Sequence, residues 1–224
     1  MIKLIAALTM LIDHIGVVLS PTTLLYRIIG RLSMPLFAYC VARGFYYSNQ
    51  HDTVKYYIMK MLILSVVSQL PAYLMTGEGL NICFTWTLSL LLLFVGTKID
   101  DVLWKPVLFI IIAVFILFIL IKLNIFPVDY GIYGITLPLF FYYLIVSNKE
   151  GLMNYTIVLL ISWVIYILCE QNASSVGQIF SIPSALVLTA SRKYDEKIKL
   201  PKWLFYVFYP VHIVILLIIK YLLK

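Results

Sequence analysis

The sequence predicts an all-α fold, a polytopic integral membrane bundle of about nine transmembrane helices, on three observations. Of 224 residues, 63% are hydrophobic and only 12% are charged, with a mean hydropathy of +1.01. Soluble domains run nearer 45–50% apolar and about a quarter charged, so this chain cannot cover its outside with polar groups and its solvent must be lipid. In hydrocarbon every backbone amide and carbonyl needs an internal partner, which leaves helices or a closed barrel. Strict apolar/polar alternation is absent, whereas apolar runs of about 17–20 residues recur, and that period selects helices.

The runs follow one another with short links. Span 2–19 is interrupted only by Asp13 and His14. Those two residues break the apolar region a signal peptide needs, and no small-residue cleavage site follows, so a retained first span is expected. Ser20-Pro21 closes it, and span 28–47 opens at Arg27 and Arg31 and ends at Ser48-Asn49. Span 56–75 runs to Gly77-Glu78-Gly79, and span 82–98 starts behind Asn81 and stops at Asp100-Asp101. Span 105–124 follows, then span 131–147 behind Asp129, closed by Asn148-Lys149-Glu150-Gly151. Span 154–170 ends at Glu170 before Gln171-Asn172. Span 177–191 is short and holds Gly177 and Pro183, and span 203–222 contains His212. No internal repeat is visible. Residues 1–224 form one transmembrane domain without room for a soluble one.

Lysines and arginines near span ends set sidedness. With the N-terminus inside, Lys3, Arg43, Lys55, Lys60, Lys98, Lys105, Lys149, Arg192, Lys193, Lys197, Lys199 and Lys202 lie on the cytoplasmic side. Arg27, Arg31, Lys122, Lys220 and Lys224 lie outside or in the outer half-membrane. The bias supports span 177–191, whose deletion would put the basic 192–202 loop outside. A cytoplasmic-membrane location with a cytoplasmic N-terminus is expected. The +7 charge is therefore read as orienting the spans. No basic stripe interleaved with aromatics occurs in a loop long enough to bind nucleic acid. Cys40, Cys83 and Cys169 all fall inside apolar runs without paired spacing, which supports neither a disulfide framework nor a metal site.

Ionisable groups within spans are costly and usually face the bundle interior. Asp13 and His14 lie beyond the middle of the first span, toward its outer end. Arg27 and Arg31 are one turn apart and so share a face. Asp129 precedes Tyr130-Gly131-Ile132-Tyr133-Gly134, and His212 lies in Phe208-Tyr209-Pro210-Val211-His212. Each has a plainer reading: packing histidines, arginines snorkelling to head groups, Asp129 capping a helix, tyrosines and tryptophans as interfacial belts, and Lys3 as a cytoplasmic anchor. One relation favours chemistry instead. Lys3 and His14 are eleven residues apart, about three turns, so they share a face with His14 about 16 Å deeper. A donor with an anionic head and a long thin arm fits between a rim cation and a buried base, and acyl-coenzyme A has that shape. Arg43, Lys55 and Lys60 are plausible helpers at the same membrane face. Asp13, rotated about 100° from His14, is expected to bond another helix, with Arg27 or Arg31 as partner.

The segment from Lys3 to Gly16 resembles the opening of TraX proteins, named for conjugal F-pilin acetylation. Arg27-Ile28-Ile29-Gly30-Arg31, Met34-Pro35-Leu36-Phe37-Ala38, Gly44-Phe45 and Ser68-Gln69-Leu70-Pro71 match as well. So do Asn81 with Phe84-Thr85, the Asp129–Gly134 segment and Phe208–His212. They occur in order over nearly the whole chain. The family is similar to membrane acyltransferases of the acyltransferase-3 kind, whose basic residue, ten residues, then His is the spacing of Lys3 and His14; their paired arginines are spaced differently from Arg27 and Arg31.

The resemblance implies a bacterial acetyltransferase that moves an acetyl group from cytoplasmic acetyl-CoA to an acceptor reached from the membrane or outer side. In TraX proper the acceptor is the N-terminal amine of pilin; nothing in the sequence identifies the acceptor here. The expected general base is His14, with Asp13 and Asp129 holding neighbouring cations or the imidazole, and His212 a second base or a structural partner. Arg27, Arg31, Asn81 and Tyr209 are expected at the acceptor or the developing oxyanion, and Lys3, Arg43, Lys55 and Lys60 at the nucleotide of acetyl-CoA. This reading requires a tunnel from the cell interior to His14. Two other functions are weighed beside it. A transporter or proton relay would suit Asp13, His14 and Asp129 but lacks inverted repeats and paired broken helices. A non-catalytic assembly subunit for an exported polypeptide would leave His14 dispensable.

Overall fold

The computed structural model describes residues 1–77, 79–99, 104–125, 127–170, 177–192 and 201–223. The Asp100-Asp101 and Gln171-Asn172 links, the basic residues Lys193, Lys197 and Lys199, and Glu78 and Lys224 lie outside the described residues. So do the side chains of Lys105, Glu170, Arg192 and Lys202.

The described chain is helical throughout apart from turns and one isolated backbone bridge. Its helices are α1 Ile2–Leu19, α2 Leu24–Gly30, α3 Ser33–Gln50, α4 Val54–Thr76, α5 Ile82–Gly96, α6 Trp104–Lys122, α7 Gly131–Val146, α8 Leu152–Glu170, α9 Ser184–Arg192 and α10 Lys202–Leu222. A 3₁₀ turn, Gln178–Ser181, precedes α9. Five segments are long and apolar enough to cross a membrane: Ile2–Leu19, Leu24–Gln50, Val54–Thr76, Leu152–Cys169 and Trp203–Leu222. The apolar helices between them are shorter, including Ile82–Gly96 and Gly131–Val146. The chain is a helical membrane bundle.

The two classes of helix occupy different positions. Along α7 nearly every residue from Gly131 to Leu139 is buried, and α7 packs against α3, α5, α6 and α8. A helix apolar on all sides is at home in the centre of a bundle. By contrast α4 exposes Met59, Leu62, Ile63, Val66, Val67, Leu70 and Leu74, which in water would be a liability and in lipid is ordinary surface. Close approach of α7 to α5 depends on Gly134, where an added Cβ would fall 2.8 Å from Thr85 Cγ2. Here Thr85 Oγ1 donates to the Asp129 carbonyl at 2.8 Å. The 127–130 turn is tied further to the α4–α5 link: Leu80 N–H donates to Pro127 O and Asp129 N–H to Leu80 O.

Two spans differ from the sequence expectation. Span 28–47 is two helices, because α2 ends at Gly30 and α3 begins at Ser33. Pro35 in the first turn of α3 has no N–H to give the Arg31 carbonyl, so the helical ladder loses a bond at this break. Ser33 Oγ donates to the Gly30 carbonyl at 2.7 Å, satisfying one of the carbonyls this break exposes. Span 177–191 resolves into the 3₁₀ turn and the short α9, with Pro183 in the turn between them, where it cannot continue the helical ladder.

Candidate functional site

A cavity of about 740 Å3 opens at the end of the bundle where α1 and α10 begin and α3 ends. Its mouth carries Lys3, Arg43 and Lys60 from three helices, and its inner end is formed by Met10, Phe37, Cys83, Trp86 and Tyr209. Each of the three cations lies beside an aromatic ring: Lys3 over Phe205 at 5.7 Å, Arg43 over Tyr47 at 5.6 Å, and Lys60 over Tyr56 at 4.3 Å. Between mouth and floor the walls are chiefly apolar. Of the four rim cations expected from the sequence, Lys55 is not among the lining residues.

The same stripe of α1 that brings Lys3 to the mouth carries His14 further along, and α10 faces both. His14 Nδ1 lies 2.7 Å from His212 Nε2. The two rings are nearly coplanar, 7° apart, with centroids at 4.9 Å, so they meet edge to edge with the short N···N contact in their common plane. Phe208 stacks on the other side of His212 at 4.6 Å and 10°. The second nitrogen of His212, Nδ1, lies 2.6 Å from the Phe208 carbonyl. A carbonyl can only accept, so His212 Nδ1 carries a proton. In the neutral pair His212 Nε2 is then the acceptor and His14 Nδ1 the donor. The remaining lone pair of the chain of bonds therefore sits on His14 Nε2. His212 is buried, 5% exposed, and His14 is half-buried.

The expected tunnel stops short of this pair. On α1 the cavity ends at Met10 and on α10 at Tyr209, each about one turn before the histidine. Tyr209 stands between, its ring centroid 6.0 Å from that of His212.

Beyond the pair lies a cluster of bonded polar groups. Arg27 Nη1 donates to Asp13 Oδ2 at 2.8 Å, the inter-helix bond anticipated for Asp13. Arg31 lies one turn on from Arg27, its backbone N–H donating to the Arg27 carbonyl at 3.1 Å, but its side chain takes other partners. It follows the break after Gly30, is 7% exposed, and donates to Gln178 Oε1 at 3.2 Å and Tyr130 Oη at 3.4 Å. Gln178 Nε2 donates in turn to Tyr133 Oη at 3.1 Å. The Asp13–Arg27 contact also explains Gly30, whose added Cβ would fall 2.2 Å from Asp13 Oδ1.

Asn81 and Asp129 have local structural work. Asn81 Oδ1 accepts from Cys83 N–H at 2.9 Å as the N-cap of α5, and its Nδ2 donates to Ser65 O and Gln69 Oε1. Its side chain is thus already engaged on both ends. Asp129 does not occupy the N-cap of α7; Tyr130 does, in a left-handed conformation with φ 57°. Sequence reading missed Trp86, Gln178, and the rim rings Tyr47, Tyr56 and Phe205. Aromatics near span ends look like interfacial belts, and only Gln178, a lone amide in an apolar run, carried a signal of its own.

Over residues 1–220 the chain matches the family described as "TraX protein". It belongs to the TraX family. Among its relatives is a probable fimbrial assembly protein FimC, serogroup H1, of Dichelobacter nodosus. The two are 26% identical over 252 residues, covering 96% of this chain and 92% of that protein. An uncharacterized protein of Rickettsia prowazekii (strain Madrid E) is 31% identical over 67 residues, 30% of this chain and 27% of that one. No solved structure matches. The relationship to the FimC protein therefore runs through nearly the whole chain.

Proposed function

We propose that this TraX protein is a membrane-embedded acetyltransferase of fimbrial or pilus assembly, taking the acetyl group from acetyl-CoA on the cytoplasmic side. The observation that carries the reading is a cationic-mouthed cavity ending one helical turn from an imidazole pair whose free lone pair is fixed on His14 Nε2. Lys3, Arg43 and Lys60 would hold the phosphates of coenzyme A, and Phe205, Tyr47 and Tyr56 offer flat faces to its adenine. The apolar walls suit the pantetheine arm, whose thioester would lie at the floor.

The acceptor is a peptide N-terminal amine or an envelope molecule, approaching from the opposite end past Arg27, Arg31 and Asp129. His14 Nε2 takes the proton of the attacking amine, and His212 holds its tautomer. In this arrangement Asp13 fixes Arg27, while Asn81 acts by shaping the start of α5. The mouth lies at the cytoplasmic face when the N-terminus is on the cytoplasmic side of the bacterial inner membrane, an orientation the lysine and arginine bias supports.

The test is transfer of label from [14C]acetyl-CoA into acid-precipitable material of envelope vesicles, using purified wild-type and His14→Ala protein in nanodiscs. Loss of a general base lowers the rate by roughly 10²–10⁴-fold. Undiminished transfer by His14→Ala refutes the assignment, and fimbrial assembly that persists in cells carrying it supports a non-catalytic assembly role.

A further inference from the structure

Two hydrogen-bond donors at the cavity floor have no partner. Trp86 lines the floor from α5, is 7% exposed, and its indole N–H is buried without an acceptor. Tyr209 lines it from α10, is 9% exposed, and its hydroxyl makes no hydrogen bond among the described residues. Buried donors are nearly always satisfied in native proteins, and one that is not calls for an explanation. Trp86 is such a donor, and together with the uncommitted Tyr209 hydroxyl on another helix lining the same cavity it points to an acceptor that arrives with the ligand.

We infer that the Trp86 indole N–H and the Tyr209 hydroxyl are the donors that receive the carbonyl oxygen of the thioester. This rests on the acetyltransferase reading above. The chemistry of the two groups suits the task. An indole N–H only donates and never takes up a proton, so it cannot compete with His14 for the proton of the incoming amine. A thioester carbonyl oxygen has two lone pairs and can accept from both donors at once. In the ground state it is a weak acceptor. When the amine nitrogen bonds to the carbonyl carbon, the π electrons move onto oxygen, and the resulting oxyanion makes shorter, charge-assisted bonds. Donors placed for that oxygen bind the transition state better than the substrate, which is what accelerates the step.

The step balances within these groups. The carbon–nitrogen bond forms, the amine proton passes to His14 Nε2, and the tetrahedral oxyanion collapses with cleavage of the carbon–sulfur bond. The thiolate of coenzyme A leaves and takes the proton from the imidazolium. The products are an acetylated amine and free coenzyme A thiol, with the histidine pair restored. Tyr209, next to His212, places the oxyanion on the cavity side of the floor and the base on the other.

The experiment compares wild type, Trp86→Phe, Tyr209→Phe and the double variant in nanodiscs by calorimetry with two probes. One is acetyl-aza(dethia)-CoA, which keeps the carbonyl but cannot transfer its acetyl group; the other is S-ethyl-CoA, which has no carbonyl. Wild type should bind the first about 5–10-fold tighter, from two modest hydrogen bonds. Each single variant should shrink that ratio and the double variant abolish it, with S-ethyl-CoA affinity unchanged. Turnover of acetyl-CoA should fall roughly 10²–10³-fold per donor. The melting temperature of Trp86→Phe should hold or rise, because an unsatisfied donor is gone. A ratio that survives the double variant overturns the inference, as does weakening of both probes alike in Trp86→Phe, which would mark a packing role. Failure of wild type to bind either probe would instead remove the acetyl-CoA reading on which the inference stands.

Discussion

His212→Phe separates a relay from a mere neighbour. Phenylalanine keeps a flat ring between Phe208 and His14, where the present spacings are 4.6 Å and 4.9 Å, and removes both ring nitrogens, the one that accepts from His14 Nδ1 at 2.7 Å and the one that donates to the Phe208 carbonyl at 2.6 Å. The donor left behind loses its partner in a mostly buried setting, a cost of about 1–3 kcal/mol. His14 can escape by moving its proton to Nε2 or by turning its ring, and either removes the lone pair from the reacting position. At 1.36 kcal/mol per tenfold, that cost corresponds to a fall in kcat of about 5–150-fold. His212→Gln, whose amide oxygen can accept where the imidazole did, should recover part of the loss. The assay is single-turnover acetyl transfer at saturating acetyl-CoA, with binding of the donor measured separately so that the loss registers in kcat alone. His212→Phe turnover within twofold of wild type would refute the tautomer argument, and so would His212→Gln falling as far as His212→Phe.

The cavity and the packing make two further predictions. Reversing charge at the mouth, Lys3→Glu or Lys60→Glu, should raise the KM for acetyl-CoA several-fold, with a steeper dependence on salt. Lys55→Glu, outside the lining, should move it less; stopped-flow turnover at two ionic strengths decides. Gly30→Ala puts a methyl 2.2 Å from Asp13 Oδ1 and should cost about 1–3 kcal/mol through overpacking, read as a lower thermal midpoint in detergent. An unshifted midpoint would mean that Asp13 and Arg27 move apart freely.

Length and hydropathy place the helices because lipid permits little else. That argument locates spans from Ile2 to Leu222 to within a few residues. It weakens where an apolar run is interrupted, as in 28–47 and 177–191, because mean hydropathy does not register a break between two short helices. The break after Gly30 was written at Pro35, but a proline near the start of an apolar run is compatible with one helix or two until Gly30 is seen against Asp13. Among the site residues, the Asp13–Arg27 bond could be read locally, since the two lie on consecutive helices. The His14–His212 contact spans 198 positions, and no periodicity within either helix encodes which distant ring it meets. Trp86 was invisible for the opposite reason: a tryptophan in an apolar run looks like packing until the cavity beside it is known.

The charges of the bundle give it a direction. At the mouth, Lys3 and Lys60 face aromatic rings, which hold a cation without neutralising it. Past the histidine pair, Arg27 has a carboxylate and Arg31 has an amide and a phenol, so the positive charge there is already bonded within the protein. On the acetyltransferase reading, a polyanionic donor is drawn to one end and finds little to displace at the other. An acceptor arriving at that far end meets a bonded network that can orient it without retaining it. Swapping the two behaviours, with unpaired cations beyond His14 and a bonded mouth, would hold spent coenzyme A inside the membrane. On the same reading, the arrangement present lets the thiol product leave by the route through which the thioester came.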